Sequence, residues 1–137
     1  MIKLFYEIPY FRIKNKYFFL NEIPILLKNE GGIVGNINYI FCCNDYLLDL
    51  NNKYLKKNFY TDVIAFNYSK NKCISGDIFI SVEQVLYNSK KWNQLFIFEL
   101  NKVMIHALLH FLGYNDKKKS DKKIMEKKEN FYLNLFK

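Results

Sequence analysis

The apolar positions of the chain fall into short blocks separated by polar turns, and the blocks alternate between strand and helix character. "IKLFYEI" at residues 2–8 reads as a first strand. "FFLNEIPILLKN" at 18–29 reads as mostly helical, with Pro24 weakening its middle and Gly31-Gly32 ending it. A second strand is expected in "NINYIFCC" at 36–43. Asn44 then stands where an N-cap belongs, and Tyr46, Leu47, Leu50 and Tyr54 recur at helical spacing up to the polar "KKN" at 56–58. "TDVIAFNYS" at 61–69 and "GDIFISV" at 76–82 are rich in β-branched and aromatic residues. Only a short polar stretch separates them, so a hairpin or short return is predicted. A short helix starts over 82–87. "LFIFELNKVMIHALLHFL" at 95–112 is apolar on nearly every side, as a central buried helix would be, and Gly113 ends it. A last amphipathic helix is expected from Ser120, with Ile124, Phe131, Leu135 and Phe136 inward and lysines outward. The pattern predicts one α+β domain over residues 1–137: a small mixed sheet of about four strands packed on helices.

Composition agrees and excludes some classes. A chain of 137 residues supports one core, and with 50% hydrophobic and 18% aromatic residues it has ample material to bury. No window approaches the ~20 apolar residues of a membrane span, and Glu7, Pro9 and Arg12 interrupt the apolar N-terminus. A cytoplasmic protein is expected. Cys42, Cys43 and Cys73 are odd in number and lack CxxC spacing, which argues against a disulfide framework or a cysteine zinc site. The net charge of +8 suits a polyanionic partner. Yet Arg12 is the only arginine, and the abundance of Lys, Asn, Ile, Phe and Tyr is what an AT-rich coding sequence favours. Charge alone does not decide for nucleic acid.

The chemistry concentrates in "HALLHFLGYND", which holds both histidines of the chain. On a helix, His106 and His110 share one face a turn apart. Gly113 can take the left-handed conformation that reverses the chain, which brings Asp116 back beneath them. Two neutral imidazoles and one carboxylate suit a divalent ion such as zinc at a catalytic site, with a fourth position open. The plainer alternative is a pair of core histidines beside an ordinary Asp-containing turn. The spacing HxxxHxxGxxD is that of metzincin peptidases with two changes: Asp116 replaces a histidine, and Ala107 replaces the glutamate base. Alanine accepts no proton, so a peptidase reading is disfavoured.

"MIHALLHFLGYND" resembles the HGxLHLxGYDH signature of the YbeY-type rRNA maturation factors, zinc-dependent, single-strand-preferring endoribonucleases of bacteria. Residues 50–66, "LNNKYLKKNFYTDVIAF", are similar to that family's LNxxYRxKDxPTDVLSF segment, and "GDIFIS" at 76–81 to its GDIxIS strand. The resemblance covers the central and C-terminal two-thirds of the chain. It implies His106, His110 and Asp116 as ligands of one Zn2+ and as the catalytic centre, with Asp116 where most members have a third histidine. It implies Lys57 as a phosphate contact, and Leu55 stands where the family has an arginine. Lys117, Lys118 and Lys119 follow the last ligand and are candidate RNA contacts, although a charge run is usually a solvated face. Asp77 and Ser81 could flank the cleft; a turn acid and a helix N-cap are the plainer readings. The implied activity is cleavage of single-stranded RNA in rRNA processing, at 16S rRNA 3′-end maturation. Either metal-activated water or metal-assisted 2′-hydroxyl attack would serve, with the ribosome or ribosomal proteins as partners. The alternative class is a non-catalytic ribosome assembly factor whose metal is structural.

Overall fold

A computed structural model describes residues 1–56 and 60–136. Four strands, β1 (Ile2–Tyr6), β2 (Ile33–Cys42), β3 (Val63–Asn67) and β4 (Cys73–Ser81), form one sheet in the order β1-β2-β4-β3. The first three positions in that order are parallel, with Ile37 opposite Gly76 and Tyr39 opposite Ile78. β3 closes the edge antiparallel to β4, as the predicted hairpin requires, with Ala65 opposite Ile78.

Each parallel pair needs a crossover, and the helices supply it. Between β1 and β2 the chain winds through a π-helical turn, Phe18–Glu22, into α1 (Ile23–Asn29). Pro24 falls in the first turn of α1, where its missing N–H has no intrahelical partner to lose, so it does not weaken the helix middle as expected. α1 ends at Gly31, whose φ is 82°. Gly31 N donates to Lys28 O and Gly32 N to Leu27 O, which satisfies two orphan carbonyls. β2 begins at Ile33, three residues earlier than its sequence pattern suggested, and β4 begins at Cys73 within the tight hairpin.

Between β2 and β3 runs α2 (Asn44–Leu50), continued by a π-helical turn to Leu55. Asn44 is not its cap. Its backbone N donates to Glu83 Oε1 (2.8 Å), and its Oδ1 accepts from Ser81 Oγ (2.6 Å). Ser81 is instead the N-cap of α3 (Val82–Lys91), accepting from Gln84 N, and that helix is a turn longer than expected. Asp77 lies within β4 and accepts from Asn38 Nδ2 (2.9 Å), so it is no turn residue.

Alternation along the strands divides the core. Ile37, Tyr39, Phe41, Ile74, Ile78 and Ile80 meet α1 and the long α4 (Phe96–Phe111). Cys42, Ile64, Phe66 and Phe79 meet Leu47 of α2 on the opposite face. α4 lies close to the sheet at Gly76, where a Cβ would come within 2.6 Å of the Phe111 ring. The last helix, α5 (Lys119–Leu135), buries Met125, Glu129 and Tyr132. Ile124, Phe131 and Leu135 are about half exposed instead of inward. The inward stripe runs one position further along, and the acid in its middle disguised it.

Candidate metal centre

α4 is buried on most of its surface by Leu100, Ile105, Leu108, Leu109 and their neighbours. His106 and His110 occupy a partly open stripe that also carries Phe98 and Lys102. The helix ends as Gly113 was expected to end it: φ is 103°, Gly113 N donates to His110 O, and Tyr114 N donates to Leu109 O. The reversal returns Asp116 to the histidines. His106 Nε2 and His110 Nε2 are 3.1 Å apart, and Asp116 Oδ2 lies 3.5 and 3.4 Å from them. A tetrahedral ion with ligand distances of about 2.0–2.1 Å separates its ligands by about 3.3–3.4 Å. The triangle has that size, and two imidazole nitrogens with one carboxylate oxygen form a donor set that could hold one divalent ion.

The other nitrogen of His106 is also committed. Its Nδ1 contacts Glu129 Oε2, a carboxylate only 6% exposed on α5. A proton held on Nδ1 toward Glu129 leaves the Nε2 lone pair free to face the triangle. Burial works to lower the His106 pKa, but the Glu129 contact, aided by the charges of Asp116 and Asp62, outweighs it and raises the value above the ordinary histidine range.

The triangle lines a groove of about 970 Å3. Asp62 and Glu99 reach the same groove, and burial raises the pKa of both carboxyls. Asn88 Nδ2 donates to Asp62 Oδ2 (3.4 Å). Lys102, Lys122 and Trp92 are also in the lining, as is Ala107, which presents a methyl where a peptidase would need its carboxylate. Lys117, Lys118 and Lys119 stand exposed where the chain leaves Asp116 and enters α5. Leu55 is 43% exposed at the end of the turn after α2. Lys57 lies outside the described residues. Sequence reasoning missed Glu129, Asp62, Glu99, Lys102, Lys122 and Trp92, which tertiary packing brings in from four separate segments. Glu129, between Met125 and Tyr132 on an apolar helical stripe, and Glu99, an acid inside the apolar 95–112 stretch, carried a sequence signal, and Asp62 lies in the segment similar to the family's.

Comparison with known proteins follows the same stretch of chain. The family model described as Endoribonuclease YbeY matches residues 17–137. A curated protein named Endoribonuclease YbeY from Karelsulcia muelleri (strain GWSS) is 47% identical over 133 residues, covering 97% of this chain and 94% of its own. The protein of that name from Flavobacterium psychrophilum is 43% identical over 136 residues, covering 99% and 96%. A solution structure of a Thermotoga maritima protein is similar in fold, with a TM-score of 0.67 and 26% identity over 97% of this chain and 87% of that one.

Proposed function

Since the chain belongs to the Endoribonuclease YbeY family, we propose that it is a metal-dependent endoribonuclease of rRNA processing, acting on single-stranded RNA at 16S rRNA 3′-end maturation. The observation that carries the metal reading is the triangle of His106 Nε2, His110 Nε2 and Asp116 Oδ2, whose edges of 3.1–3.5 Å fit one small divalent ion. Zinc is the ion this reading assigns, because two imidazoles with one carboxylate and an open fourth position suit it. Held by His106, His110 and Asp116, it would supply Lewis acidity toward a phosphoryl oxygen and would lower the pKa of water so that hydroxide is available near neutral pH.

The chain's own residues do the rest. His106 and His110 orient two nitrogens to one point, and Glu129 keeps the His106 proton on the far side of the ring. Asp62 and Glu99, with raised pKa values, are placed along the groove to exchange protons with the attacking water or ribose 2′-hydroxyl and the leaving oxygen. Lys102 and Lys122 offset the charge of the approaching phosphodiester, with the exposed 117–119 run and Lys57, which lies outside the described residues, as further candidate phosphate contacts. The reading includes action in the cytoplasm on ribosomal RNA, with ribosomal proteins as neighbours. No described helix is long and apolar enough to cross a membrane.

A second reading has one observation behind it. Leu55 stands where the LNxxYRxKDxPTDVLSF segment that residues 50–66 resemble has an arginine, and leucine offers neither charge nor a planar fork. A non-catalytic assembly factor, its metal bracing the Gly113 reversal, would follow if that side chain is indispensable. Elemental analysis and RNA cleavage, measured on the parent and on Asp116→Ala, separate the two. About one zinc per chain and cleavage in the parent, both lost in the variant, support the nuclease. Metal without cleavage, together with a marked fall in melting temperature for Asp116→Ala, supports the assembly factor.

A further inference from the structure

Trp92 is the single tryptophan of the chain, and it is 61% exposed in the lining of the groove that holds the His106, His110 and Asp116 triangle. Tryptophan is among the most buried side chains on average, so an indole left open at this place asks for an occupant. Its backbone is firmly held. Trp92 is the C-cap of α3, with its N donating to Asn88 O (3.0 Å). Asn93 follows in the left-handed conformation at φ 52°, Asn93 N donates to Lys90 O (3.3 Å), and Gln94 N donates to Ser89 O (2.8 Å). The ring is thus presented from a fixed helix end, not from a free loop. Lys91 Nζ sits 5.1 Å from the ring centroid over the indole, and Lys90 precedes it. These ammonium groups place positive charge beside the indole, where the phosphates flanking a stacked base would pass.

An unpaired nucleobase matches these features. Bases of single strands stack on aromatic rings regardless of identity, while a base inside a duplex has both faces already occupied. We propose that Trp92 is the base platform of the groove: its indole stacks an unpaired base of the single-stranded RNA substrate whose backbone crosses the metal triangle. The proposal rests on the ribonuclease reading and adds to it a physical source of single-strand preference within this chain. The platform is a binding residue, acting on substrate affinity and register and taking no part in bond breaking.

Because no second tryptophan contributes, emission excited at the red edge, where the tyrosines do not absorb, reports on this ring alone. The titrant is a short 2′-O-methyl oligonucleotide, which binds without offering a ribose hydroxyl, compared with a duplex of the same length. Saturable quenching is expected with the single strand and not with the duplex. In anisotropy titrations of the labelled single strand, Trp92→Leu is expected to weaken binding about tenfold while Trp92→Phe keeps most of the affinity. A side chain with a merely structural role would not separate leucine from phenylalanine in this way. Emission unchanged at saturating oligonucleotide, or Trp92→Leu binding as the parent does, overturns the platform. Cleavage of unmodified RNA by the parent is assayed alongside. Cleavage without quenching sinks the platform and leaves the nuclease, whereas quenching without cleavage sinks the nuclease and keeps the platform.

Discussion

Two buried carboxylates flank the Gly113 turn, and α5 reaches both. Glu129, on α5 itself, contacts Nδ1 of His106. Glu30, at the C-cap of α1, accepts from Tyr114 Oη (2.5 Å), from Lys128 Nζ (3.1 Å) and from Tyr132 Oη. Their side chains are almost equally hidden, 6% and 7% exposed. Their partners differ. Glu129 faces a titratable ring whose second nitrogen belongs to the candidate metal triangle, so its charge acts on the basicity of that nitrogen. Glu30 faces two phenols and an ammonium, and it joins the end of α1, the residue after Gly113, and α5 at one point. Burial raises the Glu30 pKa, but its hydrogen bonds from Tyr114, Tyr132 and Lys128 outweigh that and hold it below the ordinary carboxylate range. The same kind of group contacts a histidine of the candidate metal site on one side of the turn and fastens the fold on the other.

The largest expected effects break each side separately. Asp116→Ala removes an oxygen of the triangle without emptying the core, and cleavage is expected to fall to background while the urea midpoint barely moves. Glu30→Ala leaves Tyr132 and Tyr114 without their acceptor in a closed site, which should lower stability by about 3 kcal/mol in urea unfolding. A Glu30→Ala protein as stable as the parent would show that the three donors find other partners and that the clamp does not hold the turn.

The asymmetry between the two carboxylates also explains what could be read from sequence. His106, His110, Gly113 and Asp116 are local: helical period and one glycine place them within eleven residues, so their convergence was legible. Glu30 meets partners 84, 98 and 102 residues away, and nothing in a helix C-cap announces them. Glu129 lies between these extremes. Assigning Ile124, Phe131 and Leu135 to the core put the α5 stripe one residue away from the true one, because a stripe through Met125 and Tyr132 has a charge in it. A buried acid breaks the pattern that identifies a buried face, and the break was itself the mark of a functional contact. The sheet was legible for the opposite reason, since Tyr39, Ile40 and Phe41 in β2 and Ile78, Phe79 and Ile80 in β4 are unbroken runs of β-branched and aromatic residues.

A smaller effect sharpens the chemical side. Glu129→Gln keeps size and hydrogen bonding but removes the charge behind His106. Zinc affinity, measured by competition with a chelator, is expected to fall about 10- to 100-fold, with cleavage restored by excess zinc. An unaltered affinity would reduce Glu129 to a packing residue.

On the structural side the corresponding test is acid. A carboxylate whose pKa is lower in the folded than in the unfolded chain contributes stability that is fully present above its unfolded value, about 4.3, and lost as pH falls through the folded one. The stability difference between the parent and Glu30→Gln should therefore be constant from neutrality to about pH 5 and narrow below it. A difference that persists unchanged at still lower pH would assign the clamp to shape instead of charge.

The smallest effect concerns lysines that belong to neither carboxylate. Lys122 faces the groove one helical turn before Glu126, whereas Lys117, Lys118 and Lys119 stand in solvent at the start of α5. Removing one lysine that neutralises a phosphate of a single strand reduces the slope of log affinity against log salt by about 0.7. Lys122→Ala is expected to show that reduction for single-stranded RNA. If Lys118→Ala shows it as well, the RNA path continues past Asp116 along the outer start of α5. If it does not, the path turns inward at the triangle toward Lys102, and the basic run serves solubility alone. Either slope locates the strand relative to the turn, because the exposed run lies in the chain between Asp116 and the groove lysine.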